Sequence, residues 1–111
     1  MDADERDVEA TLDLLESWGL VEERDGHVHP TRRWNARLQA AAEKLNVLAA
    51  QTGVNPQGNP LVLAVRQALA AENLTDNEAV FQRAARVLLV LELTRMTPEK
   101  RAQMGFGNVR L

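Results

Sequence analysis

The two histidines of this sequence, His27 and His29, have the residue type and spacing that could bind a metal ion. Side chains two positions apart in a strand lie on the same face, which is a suitable arrangement for a chelating pair. Glu22, on the opposite strand of a predicted hairpin, would be the third ligand. Histidines on surface hairpins are much more common without a metal, so we predict no metal site. The alternative role for the pair is a contact that responds to pH near neutrality.

Residue types used in catalysis are scarce. The chain contains no cysteine and no tyrosine, and Ser17 is its only serine. There is no glycine-rich phosphate loop and no Gly-x-Ser-x-Gly motif. Acidic residues are plentiful, but most of them fall on one predicted helix face exposed to solvent, which gives no anchor for a paired-carboxylate mechanism. We therefore expect a protein that is not an enzyme and that needs no cofactor.

The composition is that of a globular domain with an aliphatic core. The chain has 111 residues, of which 45% are hydrophobic and 26% charged, so a single domain over residues 1–111 is expected. Only two Trp and two Phe are present, so we do not expect aromatic platforms on which nucleic-acid bases could stack. The acidic segment Met1 to Asp7 lacks the apolar core of a signal peptide. The longest apolar run, Val87 to Leu91, is far shorter than the roughly 20 residues that span a bilayer. These features predict a cytoplasmic protein that does not enter a membrane.

Charge is distributed unevenly along the chain, whose net charge is −3. Residues 1–23 contain nine acids and one base, residues 24–44 five bases and two acids, and residues 45–111 seven bases and five acids. The middle segment is thus the strongest local concentration of positive charge. A nucleic-acid partner, if there is one, is expected to contact this segment.

Hydrophobic periodicity predicts a mostly α fold with about five helices and one small β-hairpin. The first helix covers residues 4–18 and ends at Gly19, and the Asp25-Gly26 pair favours a type I′ turn between two short strands. Thr31 is expected to cap the second helix, and Asn59-Pro60 to open the third. The segment Thr75-Asp76-Asn77-Glu78 resembles a capping box. The predicted helices after the hairpin cover residues 32–51, 61–72, 76–96 and 98–104.

The fourth predicted helix is apolar on almost all sides between Val80 and Leu93, so it is either the central helix of the domain or part of a subunit interface. We divide the domain into a unit over residues 1–52, a loop over 53–60 and a helical region over 61–111. The helical region is expected to form a homodimer. The residues predicted for that interface are Phe81, Val87, Leu88 and Leu91.

The order of elements from residue 8 to 45 resembles the C-terminal half of the winged-helix domains of bacterial and archaeal transcription regulators. In that family a helix ends at glycine, Leu-Val enters the first wing strand, a tight turn follows, and a threonine opens the next helix. The matching residues here are Gly19, Leu20, Val21, Asp25, Gly26 and Thr31. A complete winged-helix domain has two more helices before the one that ends at the wing. We therefore expect a unit that is truncated, permuted, or completed by helices of the C-terminal half or of a second subunit.

The wing and the helix that follows it offer a better candidate DNA-binding surface than the acidic first helix, because their basic residues lie close together in sequence. The candidate residues of this surface are Arg24, His27, His29, Arg32, Arg33 and Arg37. The arginines would contact phosphates, and the wing would approach a minor groove. The other interpretation of these residues is that they are solvated, with Arg33 or Arg37 packed along Trp34 or paired with glutamates.

Two functions follow from these observations. The first is DNA-associated transcriptional regulation of the winged-helix type. The helix that would read the groove in that family is acidic here, and its carboxylates would repel DNA. The alternative is a protein-interaction or assembly module, in which the winged-helix-like unit is a scaffold and the acidic first helix recognises a basic partner protein.

Overall fold

A computed structural model of the chain describes residues 2–53 and 59–103, with the side chains of residues 2–7 and 52 left out. It confirms the mostly α fold with five helices and one antiparallel hairpin in this part of the chain. Most of the predicted loop at 53–60, Met104 and the C-terminal tail lie outside the described residues. The elements are α1 (Asp2–Ser17), β1 (Val21–Arg24), β2 (His27–Pro30), α2 (Arg32–Thr52), α3 (Pro60–Glu72), α4 (Glu78–Thr94) and α5 (Pro98–Gln103).

Positive backbone φ angles create the two sharp turns of the N-terminal half. Gly19 ends α1 with φ of 77°, and the amide of Leu20 then donates to the carbonyl of Leu15 at 3.0 Å. Asp25 and Gly26 have φ of 55° and 78°, as the predicted type I′ turn requires. Both turns are therefore set by residues that tolerate the left-handed region of φ.

Thr31 joins the end of α1 to the start of α2. Its hydroxyl oxygen accepts a hydrogen bond from the amide of Trp34 at 3.3 Å, which is the predicted N-cap. The same hydroxyl donates to the carbonyl of Gly19 at 2.7 Å, and the Thr31 amide donates to the carbonyl of Leu20 at 3.0 Å. One residue thereby closes the hairpin against the helix that precedes it.

Helices α3 and α4 begin at asparagine caps. Asn59 accepts from the amide of Leu61 at 2.9 Å, and Pro60 occupies the first turn of α3, as predicted. The cap of α4 is Asn77, whose side chain accepts from two amides of the first turn. The capping-box pattern predicted this cap at Thr75. The hydroxyl of Thr75 instead accepts from the amide of Asn77 at 3.1 Å, which forms a short turn ahead of the helix.

Helix α4 is the centre of the fold. It packs against α1 on one side and α3 on the other, while α2 packs against α3 and β1 against α1. Trp34, at the start of α2, is fully buried in the same core as Leu15, Leu88 and Leu93. At the far end of α4, the guanidinium of Arg101 donates to two main-chain carbonyls, those of residues 93 and 96, at 3.0 Å each. Helix α5 thus binds one terminal carbonyl of α4, that of residue 93, and one carbonyl just beyond the helix.

The residues predicted for a dimer interface belong to this core. Leu88 is 0% exposed, and Phe81, Val87 and Leu91 are partly buried against the core of the same chain. Leu88 therefore has no surface left for a second copy. Over the part of the chain that the structure describes, no helix combines the length and the apolar character needed to cross a membrane.

Truncation of Leu88 tests the central position of α4. We expect Leu88→Ala to lower the free energy of unfolding by about 2–5 kcal/mol, because a buried leucine leaves a cavity when it is shortened. The matched control is Val90→Ala on the same helix, where the side chain is 41% exposed and the loss should be small. Urea unfolding followed by circular dichroism measures both. Equal losses for the two variants would contradict the observed burial of α4.

Candidate interaction groove

Two of the arginines predicted to bind DNA, Arg33 and Arg37, form ion pairs with Glu72 of the same chain. Arg33 Nη2 lies 2.7 Å from Glu72 Oε2, and Arg37 Nε lies 3.2 Å from Glu72 Oε1. The Glu72 side chain is only 3% exposed, so this carboxylate depends on the two guanidinium groups for its charge balance. The hydrogen bond from Arg33 and, more weakly, the one from Arg37 hold the pKa of Glu72 below its usual value, against the opposing effect of burial.

The Arg33–Glu72–Arg37 cluster connects three helices. Arg33 Nη1 also donates to the carbonyl of Trp18 at 3.0 Å, just after the end of α1. Glu72 is the last residue of α3, and both arginines belong to the first half of α2. This is the pairing with glutamate that the sequence allowed as the alternative to phosphate contact. The cluster has a structural role that leaves less of its charge available to phosphate.

The hairpin presents a mixed surface. The register pairs Arg24 with His27 and Glu22 with His29, so these four side chains share one face. Arg24 Nε lies 3.2 Å from Glu22 Oε1, which neutralises the third arginine of the predicted patch. Among the side chains that the structure describes, those of residues 8–51, 53 and 59–103, no three from His, Asp or Glu are grouped so that they could hold a metal ion.

Arg32 is the one arginine of the predicted patch that has no carboxylate partner among the described residues. It is exposed at the start of α2, as are the neighbouring side chains of Arg33 and Arg37. The structure therefore brings Arg33 and Arg37 together around Glu72 instead of around an open anion site, and it leaves Arg32 outside this cluster. The sequence could not reveal this, because Glu72 lies 39 positions from Arg33.

An acidic groove of about 230 Å³ lies between α1 and the hairpin. We define it by the eight residues that line it: Glu9, Leu12, Asp13, Glu16, Val21, Glu22, Glu23 and Val28. The α1 residues follow the i, i+3, i+4, i+7 spacing of one helix face, and the hairpin residues come from both strands. Helix and hairpin thus form the two walls.

The acidic groove combines an apolar floor with a carboxylate rim. Val21 is buried, and Leu12 and Val28 are partly exposed, so the floor offers apolar surface to a ligand. Of the five carboxylates, Glu22 pairs with Arg24, and the other four have no cationic partner among the described residues. Unpaired negative charges around an apolar floor are complementary to a basic, partly apolar ligand.

The acidic face of α1 was evident from the sequence, but the groove was not. The spacing of Glu9, Asp13 and Glu16 predicts an acidic helix face, whereas the second wall requires the hairpin to fold back onto α1. Glu22 and Glu23 are adjacent in sequence and on opposite faces of β1, yet both line the groove. No local pattern indicates this arrangement.

A second buried carboxylate lies where α2 meets the end of α4. Burial raises the pKa of Glu92, while the charge of Arg95, whose Nη1 atom lies 3.7 Å from Glu92 Oε1, partly opposes this effect. Arg95 Nη1 also lies 3.4 Å from Asn35 Oδ1 of α2. The fold therefore accommodates the charged form of Glu92 but does not stabilise it. The charged form of Glu72, by contrast, is stabilised.

Comparisons with known proteins do not assign this chain to a family. No family model matches it, and no curated protein or solved structure shows a significant match. The resemblance to winged-helix regulators therefore remains a prediction from the residues around the hairpin. The function of this chain is therefore inferred from its surface alone.

The Glu72 cluster predicts that the wild type is more stable than a variant without the Glu72 carboxylate at neutral pH, and that this difference is lost at acidic pH. Because folding lowers the pKa of Glu72, its contribution is present above the unfolded pKa and disappears as the pH falls through the folded one. We expect Glu72→Gln to cost about 1 kcal/mol at neutral pH, since water screens the half-exposed arginines. The difference from wild type should vanish at acidic pH. Glu99→Gln, an exposed acid on α5, is the control, and a Glu72→Gln loss that does not change with pH would contradict the charge pairing.

Glu92 predicts the opposite pH dependence. Because folding raises the pKa of Glu92, its favourable contribution is present below the unfolded pKa and is lost as the pH rises through the folded one. We expect Glu92→Gln to remove this decrease, so that the variant gains stability relative to wild type as the pH rises towards neutral. Urea unfolding at a series of pH values measures the difference. A variant that instead loses stability relative to wild type over this range would show that Glu92 is stabilised in its charged form.

Proposed function

We propose that this domain is a protein-interaction module whose acidic groove binds a basic, amphipathic segment of a partner protein. The observation that carries this proposal is the apolar floor of Leu12, Val21 and Val28 inside a rim of carboxylates. The winged-helix-like unit then serves as the scaffold that holds α1 and the hairpin at the correct separation.

The two parts of the groove make different contributions to binding. Removal of the apolar floor from water favours association roughly in proportion to the area covered. The carboxylates attract a cationic partner over a distance of about 8 Å at physiological ionic strength and exclude acidic competitors. Four of them have no cationic partner of their own among the described residues, so binding breaks no existing ion pair at those positions.

Charge is the reason to prefer a protein partner over DNA. Affinity for DNA depends on cations that neutralise phosphates. Here Arg24, Arg33 and Arg37 each lie within ion-pair distance of a glutamate of the same chain. Three of the groove carboxylates, Glu9, Asp13 and Glu16, stand on the helix that would enter the DNA groove in a winged-helix regulator, where they would repel the phosphate backbone. A surface of this kind favours the interaction module over the DNA-associated regulator.

The proposal predicts specific binding of a basic amphipathic peptide. The probe is a fluorescent helical peptide with arginine on one face and leucine on the other, and its anisotropy is measured during titration with the protein. We expect Glu9→Lys with Asp13→Lys and Glu16→Lys to weaken binding by at least about tenfold, because like charges then line the rim. Binding to the wild type should also weaken as salt is raised.

The control carries the same change in net charge at a different place. Glu43→Lys with Asp76→Lys and Glu99→Lys reverses three exposed acids outside the groove, and binding should stay close to wild type. Circular dichroism verifies that both triple variants are folded. Equal losses in the two variants would mean that only net charge matters and would remove the groove from the proposal. Salt-dependent binding of a DNA duplex by the wild type, in place of the peptide, would favour the regulator instead.

A further inference from the structure

The exposed face of α4 is positively charged. The buried face of this helix contributes Ala84, Ala85, Leu88 and Leu93 to the core, which leaves Arg83, Arg86 and Val90 on the outside. Val90 is one of the few large apolar side chains that are well exposed, at 41%. The sequence from 79 to 91 contains no acidic residue. A strip of α4 therefore offers two cations and one apolar side chain to the solvent.

Arg66 of α3 extends this strip. Its Nη1 atom lies 2.7 Å from Gln82 Oε1, and its guanidinium stands 5.5 Å from the centre of the Phe81 ring. Arg66 and Arg86 both line a shallow groove of about 170 Å³ between α3 and α4. The neutral Gln82 and the ring orient Arg66 without cancelling its charge. We call Arg66, Arg83, Arg86 and Val90 the basic strip.

The arginines of the basic strip differ in their pairing from four other arginines; among the described side chains, Arg32 and Arg101 likewise have no carboxylate within 4 Å. Over the described residues, Arg24, Arg33, Arg37 and Arg95 have carboxylates within 4 Å, whereas the three arginines of the strip have none. The strip is thus a surface of unneutralised positive charge on a chain whose net charge is −3. Charge density along the sequence does not single out these arginines, because Arg66 lies 17 and 20 positions from Arg83 and Arg86.

We propose that the segment bound by the acidic groove is the basic strip of a second copy of this chain. This inference rests on the proposed function, since it names the partner of the same groove. The groove offers carboxylates around an apolar floor, and the strip offers guanidinium groups around an exposed valine. The two surfaces are complementary in both charge and apolar character, and every copy carries both.

Spacing supports this choice of partner. Arg83, Arg86 and Val90 stand at i, i+3 and i+7 on α4, which is the pattern of a helix that binds in a groove. On the opposing surface, Glu9, Leu12, Asp13 and Glu16 follow the matching pattern along α1. The strip can lie along α1 with Val90 towards the apolar floor and the guanidinium groups towards the rim.

The groove and the strip are different surfaces, so the contact is heterologous. One contact leaves a free groove on one copy and a free strip on the other. The assembly then either closes, with a reciprocal pair as its smallest form, or continues to grow with concentration. This interface differs from the one predicted from the sequence, because Leu88 lies in the core.

Charge reversal with rescue tests the proposal. The strip variant is Arg83→Glu with Arg86→Glu, and the groove variant is Glu9→Lys with Glu16→Lys. The wild type is measured by sedimentation velocity at ~100 µM, a concentration suited to weak contacts whose dissociation constants are micromolar to millimolar. We expect self-association that weakens as the salt concentration is raised. Each variant alone should have an association constant at least about tenfold lower. An equal mixture of the two should regain association, because the surviving surfaces and the reversed surfaces are again complementary.

The control variant and the peptide experiment separate the outcomes. Arg32→Glu with Lys44→Glu makes the same change in net charge as the strip variant, but outside both surfaces, and should associate like the wild type. Circular dichroism verifies that every variant is folded. A wild type that stays monomeric at ~100 µM, or a mixture that fails to regain association, overturns the second copy as partner. If that wild type still binds the basic peptide through the groove, the interaction module stands with a different basic protein as its partner. If the peptide also fails to bind, both proposals are overturned.

Discussion

Helix α4 carries too many aliphatic side chains to leave one side of the helix in water, and the rest of the structure is arranged to cover it. Helices α1 and α3 take opposite sides, and the start of α2 supplies the fully buried Trp34. Because the chain has only four aromatic residues, this coverage depends on close contact between aliphatic side chains of several helices. The part of α4 that remains exposed includes two arginines and one valine of the basic strip.

The buried polar groups follow from this arrangement. When α2 packs against α3, the carboxylate of Glu72 is withdrawn from water and can keep its charge only beside cations. Arg33 and Arg37 provide them, and Arg33 also reaches the carbonyl of Trp18. Two residues that could have served an anionic ligand thereby become part of the framework. Glu92 has weaker compensation, so its charge makes a different contribution to stability as the pH changes.

The surface that results is divided by charge. Carboxylates surround the groove between α1 and the hairpin, and unpaired arginines lie on α3 and α4. The divided surface supports recognition of a basic protein segment at the acidic end, and the complementary charges on one chain support recognition between copies. The low net charge of the whole chain conceals this division, since opposite charges on different surfaces cancel in the sum.

The sequence alone determined the features that depend on a few neighbouring residues. Gly19 and the Asp25-Gly26 pair specify turns because their backbones accept positive φ, and Thr31 caps α2 because its hydroxyl reaches an amide three residues away. Periodicity predicts the helices and the apolar character of α4, because it also depends on residues that are close in sequence. The cap of α4 was misplaced, since Thr75 and Asn77 can both accept amide hydrogen bonds and the choice between them depends on where the helix packs.

Only the tertiary structure decided which charged groups are free. Glu72 is 35 and 39 positions from the two arginines it binds, and the walls of the acidic groove come from different elements. Leu88 and Val90 stand two positions apart on one apolar helix, yet the first is buried and the second is exposed. Pairing and exposure are set by the elements that pack around a side chain, and these elements are distant in sequence. A linear pattern records the type of each residue and its near neighbours, but it does not record that packing.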